Sequence, residues 1–192
     1  MDRNDFITIV SGLPRSGTSM MMMMLEAGGI APVADGIREA DDDNPKGYYE
    51  FERVKKIKED KAWLPDAKGK AVKMISQLLL DLPGDFQYKV IFMRRKIQEV
   101  LASQKQMLIR RGTFKEDGVS DEEMGKYLTM HVDQVLKKME AMSNAEVLCV
   151  DYNAMLTGAG DSITQINKLL GGDLNTEAMA GTIDKSLYRQ RK

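Results

Sequence analysis

The chain alternates short apolar runs with longer stretches in which apolar residues recur every three or four positions. Phe6-Ile7-Thr8-Ile9-Val10-Ser11 is a β-branched apolar run stopped by Gly12, which predicts a buried strand ending at a turn. Good helix formers from Thr18 to Ala27, stopped by Gly28-Gly29, predict a helix directly after it. Residues 31–60 are polar and turn-rich, with a helical stretch expected from about Glu52 to Lys61. Ala71 to Ile75 predicts a short strand, and Tyr88 to Met93 a stronger one that runs into Arg94-Arg95-Lys96. A helix over about 97–109 follows, with Val100, Leu101, Gln104 and Leu108 spaced for one buried face. Ser120-Asp121-Glu122-Glu123 combines an N-cap with an acidic first turn and opens a long amphipathic helix to about Met142. Ala145 to Val150 is a further strand, and helices over about 161–170 and 176–182 finish the chain. Strands that alternate with helices imply parallel strands joined by crossovers. The expected fold class is therefore α/β, a three-layer α/β/α sandwich around a mainly parallel, P-loop-like sheet, with 1–192 as a single domain. Five consecutive methionines, Met20 to Met24, would point around the whole circumference of their helix. That predicts a helix packed between the sheet and another layer, with one or two methionines lining an apolar pocket.

Composition narrows the chemistry. One His and one Cys in 192 residues supply neither a structural zinc site nor an intrachain disulfide, and the lone thiol suits a reducing cytoplasm. With 28 basic and 29 acidic side chains the net charge is −1, which argues against general binding to nucleic acid or a membrane surface. An anionic partner must then be met by a local cluster. The most apolar early run, Met20 to Leu25, is too short to span a bilayer and lacks the flanks of a signal peptide, so a soluble, unprocessed protein is expected.

The local cluster has a candidate in Gly12-Leu13-Pro14-Arg15-Ser16-Gly17-Thr18-Ser19, where strand gives way to helix. Two glycines let the backbone curl so that successive amides and a helix N-terminus point at one anion, with Thr18 and Ser19 adding hydroxyls and Arg15 a cation. The spacing is that of a P-loop, yet Thr18 stands where a nucleoside triphosphatase has the Lys that reaches the β- and γ-phosphates. A second candidate is Arg95 at a strand's carboxyl end with Ser103 two turns into the next helix, a fork and a neutral donor on the edge where open α/β sheets bind ligands.

These two motifs resemble the sulfotransferase family, whose 5′-phosphosulfate loop reads like PKSGTT or PRSGTS, here Pro14 to Ser19. The family's second signature is a strand ending in Arg with a Ser eight residues later, here Arg95 and Ser103. Weaker likeness continues over Val147 to Met155 and Ile163 to Gly171. The resemblance implies a co-substrate, 3′-phosphoadenosine 5′-phosphosulfate (PAPS), bound by Arg15, Ser16, Gly17, Thr18, Ser19, Arg95 and Ser103, and a small-molecule hydroxyl or amine acceptor. It makes Arg15 the neutraliser of the leaving phosphate, where many relatives have Lys, and implies no metal. It also aligns Lys73 with a Lys that helps neutralise the sulfate, and puts the family's catalytic His on Ile75.

Proton removal must therefore fall elsewhere. Other branches of the family use a carboxylate, which makes Glu50 the candidate base and Glu39 its alternate. His131 lies mid-helix, where packing is expected, and Asp41-Asp42-Asp43 reads as a solvated turn rather than a metal site. The Arg189-Gln190-Arg191-Lys192 tail is a basic end or a third contact to the 3′-phosphate. Tyr48, Tyr49, Trp63 and the methionines hint at an apolar or aromatic acceptor. Two other readings stay open: a kinase using ATP and magnesium, with Asp151 at a strand end as metal ligand, and a non-catalytic sulfonucleotide-binding protein.

Overall fold

The computed structural model describes residues 2–37, 47–115, 118–184 and 186. Five strands form one parallel sheet: β1 (Phe6–Gly12), β2 (Pro32–Val33), β3 (Ala71–Lys73), β4 (Gln87–Arg94) and β5 (Ala145–Asp151), in the order β2-β3-β1-β4-β5. β1 is central, with Ile9 in register with Val72 on one side and Val90 on the other. A strand flanked by two neighbours and covered on both faces has no water to meet, which is why β1 reads as an unbroken apolar run and is buried throughout. β5 has one strand neighbour and reads differently: Glu146 and Cys149 are exposed, Val150 alone is buried, and Glu146 pairs with Lys89 across the strands. β2 contains Pro32, which is tolerated because the strand is short and lies at the other edge.

The side chains of β1 alternate between two apolar layers. Phe6 and Val10 meet α1 (Thr18–Ala27), α4 (Tyr152–Thr157), α5 (Gly160–Leu169) and α6 (Thr176–Gly181) on one face. Ile7 and Ile9 meet Val100 of α2 (Ile97–Arg110), Val132, Val135 and Met139 of α3 (Asp121–Glu140), and the Val54–Leu64 segment on the other. This is the expected three-layer arrangement. Met21, Met22, Met24 and Leu25 are fully buried between the sheet and α6, where Met179 packs against Gly28. Ser120 and Glu123 form the reciprocal cap that opens α3.

Several expectations change. The stretch expected to be helical over 52–61 is a short 3-10 helix, Glu52–Lys56, followed by turns that bury Ile57, Trp63 and Leu64. The strand expected to reach Ile75 ends at Lys73. The buried residues of α2 are Glu99, Val100 and Ser103, while Leu108 is 37% exposed, because only the first half of the helix packs on the sheet layer. α4 follows β5 without a gap, since Asp151 ends the strand and its carboxylate accepts from the Ala154 amide to start the helix.

Candidate active site

Connections from β1 run to the β2–β3 side and those from β3 cross to β4, so the loops leaving β1 and β4 diverge at the carboxyl edge of the sheet. A crevice opens there in parallel sheets. Here it is a cavity of about 470 Å³ bounded by the β1–α1 loop, Arg95, α2 from Ser103 outward, Tyr48 to Lys55, and Lys73 to Leu78.

The loop after β1 fits one backbone path. A Cβ at Gly12 would lie 2.5 Å from Ser16 Oγ and 2.6 Å from the Met93 carbonyl oxygen, and one at Gly17 would lie 2.4 Å from the Tyr152 ring. Gly17, at φ 99°, turns the chain into α1, whose N-terminus has no side-chain cap and no acidic residue in its first turn. Its positive end is left for a ligand. Arg15 sits at φ 77°, a region unfavourable for a side-chain-bearing residue, so the loop holds strain of the kind that clusters at functional sites.

α2 is tied to this loop by side chains. Arg15 Nε donates to Ser103 Oγ at 2.9 Å, Arg95 Nη1 donates to the Arg15 carbonyl at 3.1 Å, and Gln104 Nε2 donates to the Pro14 carbonyl at 3.1 Å. Arg95 Nε also donates to Glu99 at 2.9 Å, and its guanidinium lies 4.7 Å from the centre of the Tyr152 ring. Glu99 is 0% exposed and accepts from Asn153 Nδ2 at 2.9 and 3.1 Å. A buried carboxylate without partners would cost several kcal/mol, so Glu99 holds its place through Arg95 and Asn153. Asn153 Oδ1 in turn accepts from the Lys96 amide at 3.3 Å. On the far side of the loop, Lys73 Nζ donates to Ser19 Oγ at 3.0 Å and to the Tyr48 carbonyl at 2.6 Å.

Arg15, Gly17, Thr18, Ser19, Glu50, Lys73, Arg95 and Ser103 all border the one cavity. Ser16 stands apart. Its amide donates to the Leu13 carbonyl at 3.1 Å and its side chain, 1% exposed, lies behind the loop, so neither group faces the cavity. Glu39, Asp41 to Asp43 and the Arg189 to Lys192 tail fall outside the described residues. Ile75 borders the cavity at 45% exposure, whereas His131, a residue of α3, lies with Nε2 2.8 Å from Ser76 Oγ and does not line the cavity. Of the apolar residues singled out in the sequence, Met20, Met23 and Tyr48 line the cavity. Trp63 is buried in the core beside Phe51, and the Tyr49 hydroxyl donates to Glu26, with burial and then that bond pushing its pKa up.

Glu99, Tyr152 and Asn153 were not anticipated. Arg95 and Glu99 are spaced i, i+4, a pairing visible in the sequence, but Tyr152 and Asn153 arrive from another strand end and carry no local signal. Among the described residues, six cations border the cavity, Arg15, Lys55, Lys73, Arg95, Arg110 and Arg111, against two carboxylates, Glu50 and Asp184. A chain of net charge −1 thus concentrates positive charge in one crevice. Among the described residues, no helix is long and apolar enough to cross a membrane, and no three His, Cys, Asp or Glu side chains gather as metal ligands would.

Compared by sequence, the chain matches no family model and no curated protein. Compared by structure, it matches sulfotransferases. The sulfotransferase domain of the Synechococcus PCC 7002 olefin synthase aligns at TM-score 0.58 and 13% identity, over 98% of this chain and 81% of that one. Sulfotransferase STF9 from Mycobacterium avium aligns at TM-score 0.56 and 16% identity, over 100% and 70%. Mouse sulfotransferase SULT7A1, solved in complex with PAP, aligns at TM-score 0.53 and 17% identity, over 94% of this chain and 63% of its own. The five-stranded parallel sheet with its loop at the switch point has the sulfotransferase fold.

Proposed function

We propose that the chain is one sulfotransferase-like domain that moves a sulfuryl group from PAPS to a hydroxyl or amine of a small acceptor in the cytoplasm. The observation that carries this reading is the convergence of Arg15, Thr18, Ser19, Lys73, Arg95 and Ser103 on one cavity. A bisphosphorylated donor needs two anion sites, and these residues come from three strand ends, those of β1, β3 and β4. PAPS supplies an activated sulfuryl group on a leaving phosphate. The Arg15 guanidinium and the α1 N-terminus stabilise charge on that phosphate as the S–O bond breaks. Lys73, held beside Ser19, faces the sulfonate oxygens. Glu50 accepts the acceptor's proton as the new S–O or S–N bond forms, and 3′-phosphoadenosine 5′-phosphate (PAP) leaves. Arg95 and Ser103 hold the 3′-phosphate.

The ATP reading is weaker on two counts. The loop has Thr18 where the triphosphate-binding Lys would stand, and the Asp151 carboxylate caps α4 at 2.8 Å from the Ala154 amide. Thermal denaturation separates the readings. PAP without metal at a hundred times its Kd is expected to stabilise the protein by about 2.7 kcal/mol, and Arg95→Ala to abolish the shift. Stabilisation by ATP only with magnesium, and none by PAP, would overturn the proposal. Transfer of radiolabelled sulfate from PAPS to a panel of phenols, alcohols and amines then tests turnover.

A further inference from the structure

The outer half of α2 divides its side chains between open solvent and the cavity mouth. None of residues 104–111 is buried, and the apolar Leu108 and Ile109 are turned to solvent at 37% and 46% exposure. The charged Arg110 and Arg111, also exposed, border the cavity, which Leu108 and Ile109 do not. Ser103, Gln106, Met107, Arg110 and Arg111 all border it, and their spacing of i, i+3, i+4, i+7 and i+8 is one continuous helical face. Cations at a helix C-terminus are favoured by the dipole, but the dipole acts along the axis and does not select a face. A face that begins with a phosphate-binding hydroxyl and ends in two guanidiniums is shaped for something in the cavity.

That something lies beyond the nucleotide's anion sites. Arg110 is seven residues past Ser103, about 10 Å along the helix axis. Arg15, Lys73 and Arg95 already serve the phosphates and sulfonate of the proposed donor. The lining also includes Met23, Phe51, Val54, Ile75, Leu78 and Met107, all apolar. Resting on the sulfuryl-transfer reading, we infer that the acceptor is an amphiphile: an apolar body bearing the reacting hydroxyl or amine, with an anionic group held by Arg110 and Arg111. The guanidinium forks suit a carboxylate, sulfonate or phosphate equally by shared geometry. Lys55, which pairs with Glu52 at the surface, adds positive potential but no fork.

Two fluorescent probes test this with the protein saturated by PAP. Anilinonaphthalene sulfonate has an aromatic body and an anionic group, and N-phenylnaphthylamine is its neutral counterpart. The wild type is expected to bind the sulfonate at least tenfold more tightly. Arg110→Gln with Arg111→Gln should weaken the sulfonate at least tenfold, leave the neutral probe within twofold and leave PAP affinity within twofold. Arg110→Lys with Arg111→Lys should retain most of the preference. Equal binding of the two probes by the wild type, or equal loss of both in the Gln variant, overturns the inference. Loss of PAP affinity in the Gln variant also overturns it, because the arginines would then serve the nucleotide. Failure of the wild type to bind PAP at all would instead defeat the sulfuryl-transfer reading, and the same titrations without PAP would still report whether the cavity prefers an anion.

Discussion

The two walls of the cavity are held in place by different forces. On the loop wall, Arg15, Lys73 and Arg95 are each positioned by named hydrogen bonds, and behind Arg95 stands the buried Glu99 with Asn153. On the facing wall, Met23, Val54, Ile75 and Leu78 offer apolar surface, backed by Phe51 packed edge-on against Trp63 with ring centres 5.4 Å apart. Charge-assisted bonds in a low-dielectric setting fix donors before the reaction begins, which is what stabilising a developing charge requires. Methionine and aliphatic side chains instead adapt to shape. One wall is thus suited to a group of fixed charge and the other to one of variable shape, so under the proposed sulfuryl transfer acceptor preference can drift without disturbing the proposed nucleotide site.

The largest expected effect comes from cutting the wiring. Glu99→Ala leaves the Arg95 guanidinium and the Asn153 amide without their buried partner, and a broken buried pair costs about 3–5 kcal/mol. Both the denaturation midpoint and PAP affinity should fall, with Glu99→Gln recovering part of each because it keeps the shape and one acceptor. An Ala variant that melts like the wild type and binds PAP normally would mean that the loop wall is no more constrained than the apolar one.

Glu50 borders the same cavity, next in the chain to Phe51. Glu50→Gln should lower sulfate transfer by about 10²–10⁴-fold, the usual contribution of a positioned base, while PAP binding measured by calorimetry stays within twofold. Undiminished transfer would remove Glu50 from the mechanism and leave an acceptor acidic enough to need no base. Loss of PAP binding would assign Glu50 to the nucleotide wall.

How much of this was readable in the chain depends on whether the signal was local. β1 and β4 are buried on both faces and announce themselves as apolar runs; the Ser120–Glu123 cap lies within one turn of the helix it starts. β2 escaped because two residues carry no periodicity, and α4 because Asp151 serves as strand end and helix cap at once. α2 misled because its inner half answers to the sheet layer and its outer half to the cavity, so no single buried face runs its length. At the site, Gly12, Arg15, Gly17, Arg95 and Ser103 were legible as fixed spacings. Tyr152 and Asn153 were not, since they reach Arg95 and Glu99 only after the chain has crossed to β5.

The smallest effect on stability separates strain from wiring. Arg15 holds φ 77° and donates to Ser103, so Arg15→Gly relieves the backbone while deleting the cation and its hydrogen bond. Relief of about 1–3 kcal/mol is offset by about 0.5–1 kcal/mol of extra chain entropy for glycine and about 1.5–3 kcal/mol for the lost charge-assisted bond. The folded state should therefore shift by only about 1 kcal/mol, in urea denaturation, against the large loss in Glu99→Ala. PAP affinity should nonetheless fall by about 10–100-fold, as expected for removing a charged donor to a phosphate. A fall in stability as large as that of Glu99→Ala would make Arg15 a brace like its neighbours. A neutral stability change with weakened PAP binding would identify it as the residue of the loop wall retained for the ligand, its strained backbone tolerated because Gly12, Gly17 and the bonds from Arg95 and Gln104 leave the loop no other path.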